Sequence, residues 1–149
     1  MGLEISYNND LDIGKELMHK LNKAFEVISD EENLSDNTIN IRIVNDKEMV
    51  DLNKQFRRKN SSTNVLSFIN HDISKSMTGD LGDIAINYDF IKRESKEQGK
   101  TFDDHIIHML IHGIYHILGL DHENDEMAKA MEQKEVDLLN KLNIRNPYN

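Results

Sequence analysis

From Phe102 to Leu118 the chain is apolar on nearly every side. Ile106, Ile107, Met109, Leu110, Ile111, Ile114, Ile117 and Leu118 leave no face suited to water. A helix with that pattern belongs in an interior. The stretch is shorter than the ~20 apolar residues a membrane span needs. It is therefore expected to be a core helix, and the rest of the chain must cover it. With 149 residues the chain has the length of one ordinary domain and enough material for a core. The only proline, Pro147, lies at the far end, and no repeat, linker or low-complexity tract divides the sequence. A single domain over 1–149 is expected.

The covering elements can be read from hydrophobic periodicity. Leu3 to Tyr7 reads as a short strand. Ile13, Leu17, Leu21, Ala24, Phe25 and Ile28 recur at helical spacing. Thr38 to Val44 alternates, with Ile39, Ile41 and Ile43 on one side and Asn40 and Arg42 on the other. Asn45-Asp46 offers a cap for a helix through Met49, Val50, Leu52 and Phe56. Polar loops at 60–64 and 71–80 flank a strand over Val65–Ile69, and Gly82–Asn87 is a further strand. The short connection between those two strands favours an antiparallel pair. Tyr88–Gln98 reads as a helix ending near Gly99. Thr101 caps the apolar helix, with Asp103 and Asp104 in its first turn. A last amphipathic helix carries Met127, Met131, Leu138 and Leu142. The expected class is α+β: a small mixed four-stranded sheet with about five helices, one of them buried and central.

That central helix also carries His105, His108, His112 and His116. One histidine on an apolar helix is normally a satisfied core residue. Several together each need partners for two ring nitrogens, which aliphatic neighbours do not supply. His112 and His116 stand four residues apart on one helix face, about 6 Å apart at Cβ. Gly119 can end the helix in a left-handed turn and bring His122 back towards them. The chain has no cysteine, so any metal must use nitrogen and oxygen ligands. Three imidazoles with a fourth position left to water form an open site of the catalytic kind. His108 is also four residues from His112. It lies ~12 Å along the axis from His116, too far to share an ion with it. His105 and His108 are therefore assigned to packing or to supporting roles. Zinc suits the ligand set, as would nickel, copper or iron.

The spacing of the three histidines parallels that of metzincin proteases, which place a glutamate beside the first histidine as general base. Here that position is Gly113. Peptide hydrolysis would lack its proton acceptor.

The run His112-Gly113, His116, Leu118-Gly119, Asp121-His122 resembles the signature of the YbeY family of bacterial endoribonucleases. Leu52-Asn53, Phe56-Arg57 and Thr63-Asn64-Val65-Leu66-Ser67-Phe68 resemble a second block, and Gly82-Asp83-Ile84 a third. The tail, Glu132 to Leu142 with Arg145 and Pro147-Tyr148, also fits. The resemblance departs at Asn64, where the family usually has aspartate. Asparagine keeps the shape but loses the charge. The resemblance implies a zinc-dependent hydrolase of single-stranded RNA, acting in small-subunit ribosomal RNA maturation and ribosome quality control. It also implies His112, His116 and His122 as metal ligands, with Arg57 and His112 as the catalytic residues.

Net charge is −9, unusual for a general nucleic-acid binder and no bar to a local basic cleft. Lys54, Arg57, Arg58 and Lys59 form the densest basic cluster. A guanidinium there suits phosphate, because its fork bonds two oxygens at once. Lys92, Arg93, Lys96 and Lys100 are interleaved with Glu94 and Glu97 and read as an exposed helix face. Asp83 and Asp121 are the candidate general bases, and either could instead orient a ligand histidine. No signal peptide or membrane span is evident, so a cytoplasmic protein is expected, with RNA rather than DNA as partner. Two other readings stay open: a ribosome-associated binding factor with a structural metal, and a hydrolase of another substrate.

Overall fold

The computed structural model describes residues 2–57, 63–69 and 79–148. Its elements are β1 (Gly2–Tyr7), α1 (Lys15–Glu32), β2 (Thr38–Val44), α2 (Asp46–Arg57), β3 (Val65–Ile69) and β4 (Asp80–Asn87). Then follow α3 (Tyr88–Gln98), α4 (Phe102–Ile117) and α5 (Asp125–Lys141). This is an α+β architecture. The sheet order is β1-β2-β4-β3. β1 and β4 run parallel to β2, and β3 closes the edge antiparallel to β4. The expected antiparallel pair is present, although β4 begins at Asp80, ahead of Gly82. The expected loops at 60–64 and 71–80 fall mostly outside the described residues.

Alternation along the strands divides the sheet into two faces. Ile39, Ile41, Ile43, Ile84 and Ile86 join the main core with α1, α4 and α5. Val44, Leu66 and Ala85 point the other way and pack with Met49 of α2. The main core is centred on α4, whose Ile106, Leu110, Ile111 and Ile114 are fully buried. Each such side chain stabilises the fold by about 1.5–3 kcal/mol relative to exposure.

The helix ends are capped by side chains. Asn45 accepts from the Glu48 amide (2.9 Å), Asn87 from Phe90 (3.1 Å), Thr101 from Asp104 (3.1 Å) and Asn124 from Met127 (2.9 Å). α1 is the exception. Gly14 stands at its N-cap and makes no side-chain bond, so the helix starts at Lys15 and Ile13 lies ahead of it.

Candidate metal centre

α4 packs on the sheet face formed by β3 and β4, and Gly113 is the point of closest approach. A Cβ there would lie 3.1 and 3.2 Å from two carbons of Ile84 and 3.2 Å from the Ser67 hydroxyl. That hydroxyl donates to the Gly113 carbonyl (3.3 Å). Position 113 therefore lacks a carboxylate, and any side chain there would press on Ile84 and Ser67. With Gly113 against the sheet, His112 and His116 fall on a side of α4 partly open to solvent.

The chain then reverses. The Leu118 amide bonds to the Ile114 carbonyl, Gly119 to His116 and Leu120 to Tyr115. Gly119 has φ +101°, a conformation L side chains rarely adopt. Asp121 Oδ1 accepts from the His122 amide at 2.7 Å, so this aspartate shapes the turn that presents His122. Ligand-type nitrogens of His112, His116 and His122 lie within 4.8 Å of one another. Their ring centroids are 4.7, 5.0 and 5.6 Å apart. His112 and His116 are half-buried and His122 is exposed, which leaves one side open.

The donor set fits a divalent ion. Metal binding needs neutral imidazole with a bare lone pair. Burial, then the neighbouring His112 and His122, hold His116 below the ordinary imidazole range. His112 turns Nδ1 to Glu135 Oε2 at 3.0 Å, which leaves Nε2 for a ligand. Hydrogen bonding of the second ring nitrogen to a carboxylate is the usual support for a metal-binding histidine.

Glu135 was not among the residues singled out from the sequence. It has no exposed surface. Its Oε1 receives His108 Nε2 at 2.7 Å and the Tyr148 hydroxyl at 2.6 Å. Burial on its own would push this carboxyl up. The hydrogen bonds from His108 and His112, the charge of His112 and the bond from Tyr148 together outweigh it and hold the group near about 2. The signal was present in the pattern. Met131, Glu135, Leu138 and Leu142 are successive positions of the apolar stripe of α5, and one of them is charged.

His105 and His108 stand apart from the three converging rings, each bonded to a glutamate. His105 Nε2 lies 3.0 Å from Glu94 Oε1, which also accepts from the Asn64 amide at 3.1 Å. Burial holds His105 below the ordinary range. A cleft of about 390 Å³ borders His112 here, lined among others by Asn64, Glu94, Lys100, His108 and Tyr148. Lys100 thus faces a cleft, unlike Arg93 of the same basic stretch, which bonds Asp46 through both terminal nitrogens.

Asp83 requires a correction. Its neighbour Ile84 faces α4, so Asp83 points to the opposite face of the sheet, where it is exposed. It neither reaches the histidines nor orients them. Arg57 is the last residue of α2, and its side chain lies outside the described residues, as do Arg58 and Lys59. The preceding Phe56 packs its ring 5.0 Å from that of Phe68 on β3, three residues after Val65. The end of α2 therefore lies beside the strand whose Ser67 touches Gly113.

With this geometry in hand, the comparisons with known proteins are specific. The family model described as Endoribonuclease YbeY matches residues 4–143.

The chain belongs to the YbeY family.

A protein named Endoribonuclease YbeY from Francisella philomiragia is 42% identical over 135 residues, covering 86% of this chain and 84% of the relative. One of the same name from Francisella tularensis subsp. holarctica is 37% identical, covering 98% of this chain and 93% of its own. Among solved structures, the solution structure of TM1509 from Thermotoga maritima is similar, with a TM-score of 0.63 and 25% identity. It covers 95% of this chain and 91% of that one. The YbeY-like run of histidines is thus the part of the chain where three ring nitrogens meet.

Proposed function

We propose that this chain is a zinc-dependent endoribonuclease that cleaves single-stranded RNA, acting in the cytoplasm in ribosomal RNA maturation and ribosome quality control. The observation that carries this reading is the convergence of His112, His116 and His122 in a member of the YbeY family. His112, His116 and His122 would hold the ion. When bound, zinc supplies a Lewis acid that polarises a phosphoryl oxygen and acidifies water.

The chain's own residues supply the rest. Glu135 orients the His112 ring and keeps its Nε2 free. All of its described bonds are to donors already in place, so it supports the site and does not act as the base. Asp121 shapes the turn that presents His122. Arg57 is assigned to gripping the phosphodiester, a role its planar fork of donors suits. Gly113 counts against the peptidase alternative, because it stands where that reaction's neighbouring carboxylate would be. The acidic net charge is compatible with RNA binding through a local cleft, and small-subunit ribosomal RNA and its proteins are the proposed partners.

The test is to measure bound metal and then follow cleavage of single-stranded RNA with and without chelator, alongside His116→Ala and Arg57→Ala. Chelator-sensitive cleavage lost in both folded variants is expected. Full metal occupancy without cleavage would instead favour a binding factor. Cleavage that persists in His116→Ala would defeat the assignment.

A further inference from the structure

The Tyr148 hydroxyl reaches Glu135 from the C-terminal tail, thirteen residues on in the chain, at 2.6 Å. The same hydroxyl lies 3.1 Å from His108 Nε2. The Tyr148 ring meets the His108 ring edge-on, with centroids 5.4 Å apart and an interplanar angle of 89°. Glu135 Oε2 meanwhile holds His112 Nδ1. One buried carboxylate therefore joins a proposed metal ligand to the segment that follows α5.

The two ends of this connection differ in exposure. Glu135 is fully buried, whereas Tyr148 is 44% exposed. Its ring stands partly in water while its hydroxyl is bonded inside. The tail before it is anchored by Leu142 and Ile144, which pack on the core. Undocking of Tyr148 alone would leave the Leu142 and Ile144 contacts in place. Its departure would strip one of three donors from a buried carboxylate and admit water beside His112. A carboxylate short of a donor is costly to keep buried.

We propose that Tyr148 and Glu135 are positioning residues for the metal centre, so that docking of the C-terminal tail and metal binding at His112 favour each other. Thermodynamic linkage makes the coupling reciprocal: what the tail does for the metal, the metal does for the tail. The inference rests on the reading of His112 as a metal ligand.

Zinc affinity is the direct readout, measured by competition with a chromophoric chelator on the full-length protein. Loss of an outer hydrogen-bond partner of a ligand histidine typically weakens metal binding by about 10–100-fold. Glu135→Gln is expected near the upper end of that range and Tyr148→Phe near the lower. Phenylalanine keeps the ring against His108 and removes only the hydroxyl. The metal-free Tyr148→Phe protein should keep the wild-type far-UV circular dichroism; a fall in its thermal midpoint reports the donor lost to buried Glu135, whereas zinc affinity measured on the folded variant reports positioning. Zinc should also slow amide hydrogen exchange over residues 145–148 in wild type and protect Tyr148→Phe less. If Glu135→Gln does not fold, Tyr148→Phe carries the test alone. Wild type that binds zinc while Tyr148→Phe binds it equally well overturns this coupling and leaves the metal reading standing. Wild type that binds no zinc overturns both.

Discussion

Glu135 on α5 and His112 on α4 face each other at 3.0 Å, with the carboxylate wholly removed from water. A buried anion bonded to a ring that is itself partly exposed ties the stability of the domain to the ionisation of its site.

Acid should expose that tie. An unfolded glutamate titrates near 4.5, and Glu135 in the fold near about 2. A depressed carboxyl stabilises the fold above the unfolded value, and the benefit fades as pH falls through the folded one. Glu135 thus contributes on the order of 3 kcal/mol at neutral pH, lost between about pH 5 and pH 2. Urea unfolding across that window should show the loss in wild type and much less of it in Glu135→Gln. Equal slopes in the two proteins would contradict the assignment.

A second, milder window should open at higher pH in the metal-free protein. Burial holds both His105 and His116 below the ordinary imidazole value of 6.5. A base with a lowered folded pKa resists protonation in the fold, so its contribution is complete above the unfolded value. Stability should therefore begin to fall as pH drops below about 6.5. Saturating zinc should suppress the His116 share, because a ligated nitrogen takes no proton. Thermal unfolding at pH 7.5 and 5.5, with and without zinc, measures the difference. A metal-free protein equally stable at both values would sink the expectation.

Replacing Gly113 by alanine should destabilise the protein, although alanine is the better helix former. Helix propensity favours the change by about 1 kcal/mol. Against it, the new methyl meets Ile84 and Ser67 at 3.1–3.2 Å, and overpacking of this kind costs about 1–3 kcal/mol. The net expectation is a loss of about 1 kcal/mol by denaturant unfolding. A gain would show that α4 can move off the sheet at little cost.

Asn64→Asp should be tolerated in acid and harmful at neutral pH. The Asn64 amide donates to Glu94 Oε1 at 3.1 Å, and the same oxygen lies 3.0 Å from His105. Aspartate would replace a donor by a second carboxylate at that distance. The expected cost is about 1–3 kcal/mol at pH 7, shrinking below pH 5 as one of the pair takes a proton. Comparing the variant with wild type at pH 7 and pH 4.5 tests this, and a cost independent of pH would rule out charge repulsion as its source.

Much of this arrangement was legible in the sequence because it is local. The α4 pattern, the Thr101 cap and the Gly119 bend all act within a few residues, and the three histidines follow from them. Strand order is set by contacts far apart in the chain. Placing β4 between β2 and β3 needed the structure, and so did finding Asp83 on the far face. Met127 shows the limit of periodicity. It falls in the apolar stripe of α5 yet lies exposed in the first turn, beyond the reach of the core. Glu135 sits in the same stripe and is buried, and only the histidines and tyrosine brought to it by other segments explain why.

The contact of Gly113 with Ile84 and Ser67 limits which chemistries this scaffold can acquire. Its histidine spacing parallels that of a peptidase, but a substitution beside His112 to supply the missing acid would crowd Ile84 and Ser67. A proton acceptor from another strand or loop, or from the substrate itself, would avoid that crowding. A larger neighbour for His112 would first need Ile84 and Ser67 to give way.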